Sequence, residues 1–305
     1  MYDIIVVGGG PAGMTAALYA RRNGKTVLVI EKNGFGGQIT HSPRVENYPG
    51  TLSMSGNEFA DSLLDQILAQ GAEIEFENVV KVKVEGKIKV VLTEEGSRFE
   101  AAAVILATGV KHRMLGLEGE RELVGDGISF CAVCDGDFYE NQTVCLAGGG
   151  NSALQEAILL SEKCSKVTIL QDLPYFTGEE SLQKVLFSRP NVEARTGVKI
   201  LSILKKGETF GGLEIEDKES GERTEILCDG LFVAIGLIPD NNAFALLADL
   251  DVKGYFDSDE HCRTKTPGIY TAGDCRKKPV RQLTTAVADG ACAALAACRY
   301  ISFDF

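Results

Sequence analysis

Short apolar runs that each end in glycine organise this chain. Ile4-Ile5-Val6-Val7 runs into Gly8-Gly9-Gly10-Pro11-Ala12-Gly13, an alanine-rich helical stretch ending near Arg22, and a second strand from Val27 to Ile30. The pattern returns further on. Thr143 to Ala147 runs into Gly148-Gly149-Gly150-Asn151-Ser152-Ala153, a helix to about Glu162, and a strand from Val167 to Leu170. Strand, tight turn, helix and strand in that order imply a parallel sheet with helices packed on its faces. Two such units predict an α/β fold of two nucleotide-binding-type domains.

The second domain reads as an insertion into the first. Ala103 to Gly109 is a buried strand closing the first core, and Gly230 to Gly236 is its counterpart in the second. The last stretch, with Ile269-Tyr270-Thr271-Ala272-Gly273-Asp274 and a helix from about Leu283 to Tyr300, cannot assemble a third sheet and should return to domain one. The expected domains are therefore 1–113 plus 241–305, and 114–240. Crossovers near 111–117 and 238–243 would make a hinge.

Composition narrows the class. The 305 residues suffice for two cores, and 34 glycines suit close approaches of backbone to ligand. No apolar run reaches the ~18–20 residues of a membrane span. A strand beginning at Tyr2 leaves no room for a signal peptide. Nine cysteines without such a signal suggest a reducing cytosol, where a lasting cysteine pair is more often catalytic than structural. A net charge of −12 argues against non-specific nucleic-acid binding. Arg276, Lys277, Lys278 and Arg281 crowd one stretch, either as a solvated loop or as a docking patch for an acidic partner.

Gly8, Gly10 and Gly13 make a GxGxxG that follows a strand and opens a helix, with Glu31 after the next strand. Glycines admit a pyrophosphate to the backbone, the helix N-terminus supplies N–H groups, and the acid accepts ribose hydroxyls. The bland alternative is a glycine-rich turn that binds nothing. Between the two turns lies Phe130-Cys131-Ala132-Val133-Cys134-Asp135-Gly136. A CxxC followed by an acid, flanked by nucleotide turns, suggests a disulfide that a flavin reduces. A zinc half-site or two ordinary core cysteines are the alternatives, although no second CxxC or HxxxH completes a zinc set. The other seven cysteines are scattered, with Cys275 beside Asp274 the one to watch.

GGGPAG, GGQ, ENYPG, ATG, CAVCDG, GGGNSA, FVAIG, TPGIYTAGD and RQL, in this order along the whole chain, resemble the low-molecular-weight thioredoxin reductases of the two-dinucleotide-domain flavoprotein superfamily. The resemblance implies FAD in domain one, held by the first turn and Glu31, with Gly37, Thr108, Gly109 and Gly273 among its contacts. Asp274 would bind the ribitol or pyrophosphate side, Gln38 and Asn47 would contact the flavin region, and Arg281 and Gln282 would line the isoalloxazine. A helix beginning near Gln282 could aim its dipole at a reduced flavin anion. By the family pattern Cys134 faces the flavin and Cys131 attacks a thioredoxin disulfide. Asp135 would donate or accept a proton, or would merely be a turn residue. A cytosolic homodimer, in which the inserted domain rotates to expose Cys131, is also implied.

The second turn keeps Gly148, Gly150 and Ala153, but its recognition end departs from NADPH-dependent relatives. Where they carry His-Arg-Arg and a further Arg for the 2′-phosphate, this chain has Gln171-Asp172-Leu173 and Thr177, with no arginine between Lys166 and Lys184. Charge-assisted contacts contribute roughly 1.5–3 kcal/mol each. Losing two or three should weaken NADPH on the order of a thousandfold or more. Three donors stay open: ferredoxin, as in the ferredoxin-dependent flavin thioredoxin reductases of anaerobic bacteria, which the chain resembles here; NADH; or residual NADPH. A flavin-bound redox sensor that does not turn over is the non-enzymatic alternative.

Overall fold

The computed structural model describes residues 1–42 and 45–305. The chain divides into two compact units, Met1–Lys111 with Ile238–Phe305, and His112–Leu237. The first unit begins with β1 (Tyr2–Val7), α1 (Pro11–Arg22), β2 (Val27–Ile30), α2 (Gly56–Ala69), β3 (Glu73–Glu75), β4 (Val79–Glu85), β5 (Ile88–Thr93) and β6 (Arg98–Leu106). The outgoing connection contains β7 (Val110–His112). The second unit holds β8 (Ile128–Ser129), the single turn α3 (Ala132–Asp135), β9 (Thr143–Ala147), α4 (Asn151–Ser161), β10 (Lys166–Gln171), α5 (Glu180–Phe187) and β11 (Val192–Thr196). A meander of β12 (Val198–Lys206), β13 (Thr209–Asp217) and β14 (Arg223–Leu227) precedes β15 (Gly230–Val233). The return connection contains β16 (Leu237–Pro239), which pairs with β7, and β17 (Ile269–Thr271) and α6 (Leu283–Phe303) complete the first unit.

In the first unit the sheet order is β3-β2-β1-β6-β5-β4, with β17 on the far half of β6. β1, β2, β3, β6 and β17 run parallel, while β4 and β5 form an antiparallel hairpin at the edge. The apolar runs follow from burial on both faces. Ile4 and Val6 point into one core with α1, α2 and α6, and Ile5 and Val7 into another with Phe244, Leu247 and Phe256. The second unit repeats the design with parallel strands in the order β11-β10-β9-β15-β8.

One expectation is corrected by α6. It is a 21-residue helix whose length and composition would allow a membrane span, contrary to the reading that no apolar run is long enough. Its Ala286, Gly290, Ala293, Ala294 and Ala297 face is instead buried in the first core. A Cβ at Gly290 would strike the Ala12 carbonyl of α1, so small residues set how closely the two helices approach.

Candidate functional site

At the end of β1, Gly8 adopts φ +110, and a Cβ there would run into the Ala107 carbonyl. Gly13 packs on the Gly8 carbonyl and so seats the start of α1 against the strand end. Nothing lies within 4 Å of the place a Gly10 side chain would take. Open space therefore faces a helix N-terminus whose first N–H groups have no upstream carbonyl. Glu31 accepts the Gly9 N–H at 2.6 Å and the Asn33 N–H at 2.9 Å, which holds its carboxylate beside the turn with lone pairs to spare.

The remaining predicted cofactor residues belong to the same unit. Gly37 opens a 3-10 turn over Gly37–His41 that includes exposed Gln38. Exposed Asn47 donates to Gln282 Oε1 at 3.4 Å. Thr108 donates to Asn241 Oδ1 at 2.7 Å, and Gly109 has φ +66. Gln282 is the N-cap of α6, in a reciprocal box with Thr285. Gly273, at φ +82, opens the turn that carries Asp274. Asp274 Oδ1 is buried with no hydrogen-bond partner, and burial pushes the carboxyl up against the lowering pull of Lys278 and Arg281. Such an acceptor calls for a donor from a ligand. The open Gly10 turn, Glu31 and this orphaned oxygen are features that fit a bound FAD.

In the basic stretch, Arg276 and Lys278 are paired within the unit and Lys277 is exposed. Asp289 of α6 takes Arg276 Nη1 at 2.7 Å on one oxygen, and Lys278 Nζ at 2.8 Å with the Gly273 N–H at 3.1 Å on the other. Lys277 pairs with Asp257 at 3.0 Å. Arg281 donates to the Asp274 and Arg276 carbonyls and lies 4.0 Å over the Tyr255 ring. Arg276, Lys278 and Arg281 brace the Asp274 turn from within, because buried or half-buried charge needs a partner.

In the second unit Cys131 and Cys134 form a disulfide, with their Cα atoms 5.3 Å apart. Cys131 caps α3 and its Sγ accepts the Cys134 N–H at 3.2 Å. Buried Asp135 closes the turn. Its Oδ2 accepts the Ser129 hydroxyl at 2.5 Å, Ser129 Oγ accepts the Cys131 N–H at 3.1 Å, and Oδ1 has no partner. Burial raises the Asp135 carboxyl more than the Ser129 bond lowers it, so it holds its proton more readily than an ordinary aspartate.

Sequence reasoning missed Glu156. It falls between Ala153 and Ala157 on the stripe that also buries Leu160, the helical spacing that faces a core. One carboxylate oxygen is buried without a partner, and burial pushes the carboxyl up to about 7. An acid on a buried stripe was the available signal. Of the other cysteines only Cys292 is exposed, and Cys275 is buried with its thiol on the Ala272 carbonyl at 3.1 Å.

The second turn preserves its backbone form, with Gly148 at φ +136 against the Ala234 carbonyl and Ala153 buried. Strand register makes Gln171 the counterpart of Glu31, since Ile30 pairs with Val7 and Leu170 with Ala147. The counterpart is neutral, buried, and donates to the Tyr175 carbonyl at 3.1 Å. Exposed Asp172 follows, its carbonyl accepting Lys218 Nζ at 2.7 Å, and then exposed Leu173.

Comparison with known proteins agrees with this geometry. Residues 2–290 match the family described as pyridine nucleotide-disulphide oxidoreductase. The chain is 38% identical to the thioredoxin reductase of Listeria monocytogenes over 301 residues, 99% of this chain and 94% of that protein. It is 36% identical to that of Bacillus subtilis, covering 99% and 95%. The crystal structure of thioredoxin reductase from Streptococcus pyogenes superposes with a TM-score of 0.93 at 37% identity, covering 99% and 98% of the two chains. FAD is the cofactor of these flavoproteins and of this chain. The chain belongs to the pyridine nucleotide-disulphide oxidoreductase family, in its low-molecular-weight thioredoxin reductase branch, and is a flavin disulfide oxidoreductase.

Proposed function

We propose that this protein reduces thioredoxin or a thioredoxin-like protein through Cys131 and Cys134, and that its electrons come from a reduced ferredoxin rather than from NADPH. Bound FAD supplies the electron pair. Two electrons and two protons convert the Cys131–Cys134 disulfide to thiols, with Asp135 as a proton source. The Cys131 thiolate attacks the partner disulfide and releases one partner thiolate. Cys134 then attacks Cys131 Sγ, releasing the second partner thiolate and restoring the disulfide. By resemblance the enzyme works as a cytosolic homodimer.

The observation that carries the donor assignment is the recognition end of β10. Gln171 stands where Glu31 stands in the first unit, its amide spent on Tyr175; Asp172 and Leu173 bring no cation, and the nearby Lys218 is held by the Asp172 carbonyl at 2.7 Å and its carboxylate at 3.6 Å. A desolvated or repelled phosphate dianion would lose most of its binding there. The stretch Arg276 to Arg281 remains the docking candidate for an acidic ferredoxin, with Lys277 exposed beside Asp257 and with Arg276 and Lys278 held by Asp289. NADH is the second reading, because the Gly148–Ala153 turn and the N-terminus of α4 are retained. Anaerobic titration of the flavin with NADPH, NADH and reduced ferredoxin separates them: bleaching by ferredoxin alone supports the proposal, and rapid bleaching by micromolar NADPH overturns it.

A further inference from the structure

We propose that Ser129 is a positioning residue of the Cys131–Cys134 centre: its hydroxyl holds Asp135 Oδ2, so that Oδ1 is the oxygen that gives and takes the proton. This rests on reading Asp135 as the proton source of the pair. Three hydrogen bonds define the arrangement. The Cys131 N–H donates to Ser129 Oγ at 3.1 Å, the Ser129 hydroxyl donates to Asp135 Oδ2 at 2.5 Å, and the Asp135 N–H donates to the Cys131 carbonyl at 3.0 Å. They close a ring around the first cysteine. Asp135 Oδ1 stands outside it, buried and without a partner.

The direction of each bond follows from what each group can donate. A serine hydroxyl has one proton and two lone pairs. The Cys131 N–H fills one lone pair, and among the described residues the one acceptor that the Ser129 proton meets is Oδ2. Oδ2 is therefore the carbonyl oxygen of a protonated Asp135, and the acid proton sits on Oδ1. When the S–S bond breaks with the electron pair that bound FAD supplies, this proton passes from Oδ1 to one cysteine sulfur. Solvent supplies the second proton, and two thiols result. When a thiol ionises to attack a partner disulfide, the Oδ1 carboxylate takes the proton back.

Ser129 acts from a rigid base. It is buried at the end of β8, which pairs parallel with β15 through Phe232. Phe130, the next residue, stacks on His112 with ring centroids 4.5 Å apart, so both side chains of the segment entering the cysteine turn are fixed. No cation competes for the carboxyl: Lys163 pairs with Asp137 and Lys166 with Glu193, and among the described residues none pairs with Asp135. Burial raises the Asp135 carboxyl and the Ser129 bond opposes the rise. The hydroxyl thus keeps the acid ionisable while fixing which oxygen carries the proton.

The test is a double-mutant cycle in a Cys292→Ser background, which removes the one other exposed thiol. Holoprotein reduced with dithiothreitol, then freed of it anaerobically, is mixed with the small disulfide dithiobis(nitrobenzoate), and thionitrobenzoate release is followed by stopped flow. General acid–base catalysis contributes about 10²–10⁴-fold. Asp135→Asn should therefore slow release about 100-fold, and Ser129→Ala, which keeps the carboxyl but frees it to turn, about tenfold. Ser129→Thr returns the hydroxyl and should return most of the rate. With Asp135→Asn in place, Ser129→Ala should add nothing, because a residue acting through the carboxyl has nothing left to act on. An undiminished rate in Ser129→Ala, or the same loss in both backgrounds, overturns the proposal. Asp135→Asn as fast as wild type overturns the proton-source reading, and the role of Ser129 with it. Infrared difference spectra of oxidised against reduced holoprotein give a second reading. The protonated carboxyl band lost in Asp135→Asn should move to higher wavenumber in Ser129→Ala, as Oδ2 loses its donor, and an unmoved band overturns the proposal.

Discussion

Replacing Glu156 with glutamine removes a titration while nearly preserving shape, so its effect on stability can be worked from the structure. The carboxyl is raised from 4.5 to about 7 by burial. An acid whose folded value is raised stabilises the fold fully below its unfolded value and loses that contribution as pH rises through the folded one. The wild-type protein should therefore weaken by about 3 kcal/mol in all as pH rises from well below 4.5 to well above 7, from 1.36 kcal/mol per unit. About 2.5 kcal/mol of this falls between pH 5 and 8. Glutamine does not titrate, so the variant should gain on the wild type by that amount across the window. Urea unfolding of both proteins at one fixed FAD concentration, at pH 5, 6, 7 and 8, reads the difference. Stability curves that stay parallel over the range would refute the burial of an ionisable Glu156.

Three further outcomes are expected. Asp274→Ala removes the buried acceptor assigned to FAD and should raise the FAD dissociation constant about 10- to 100-fold, a loss of roughly 1.5–3 kcal/mol, measured by fluorescence of released flavin. Gly290→Ala pushes a methyl into the Ala12 carbonyl and should cost about 1–3 kcal/mol, read as a lowered Tm. Asp172→Arg with Leu173→Arg should create NADPH binding, strengthening it by at least about tenfold over wild type in a fluorescence titration; no gain would place the block elsewhere in the second turn.

Much of this molecule was legible because its signals are local. Ile4 to Gly13 and Thr143 to Ala153 announce strand, turn and helix by composition alone, and α1 ends at Arg22 as its pattern suggests. Cys131, Cys134 and Asp135 are adjacent in sequence and remain adjacent in space. What escaped was non-local. Asp289 lies beyond the basic stretch on another element, and only folding brings it onto Arg276 and Lys278 to consume their charge. Glu156 reads as one more helix acid until α3 covers it. The apolar length of α6 was undercounted because Asp289 and Arg299 interrupt the run, although alanine between them packs like a core helix.

The central claim is that electrons leave through the cysteine pair but do not enter as NADPH, and one anaerobic stopped-flow series tests it. Oxidised holoprotein is mixed in turn with NADPH, NADH and reduced ferredoxin, and flavin absorbance is followed with thioredoxin present. The account predicts fast bleaching and thioredoxin reduction with ferredoxin, and none with NADPH at micromolar concentration. Fast bleaching by NADPH with an inert ferredoxin would contradict it.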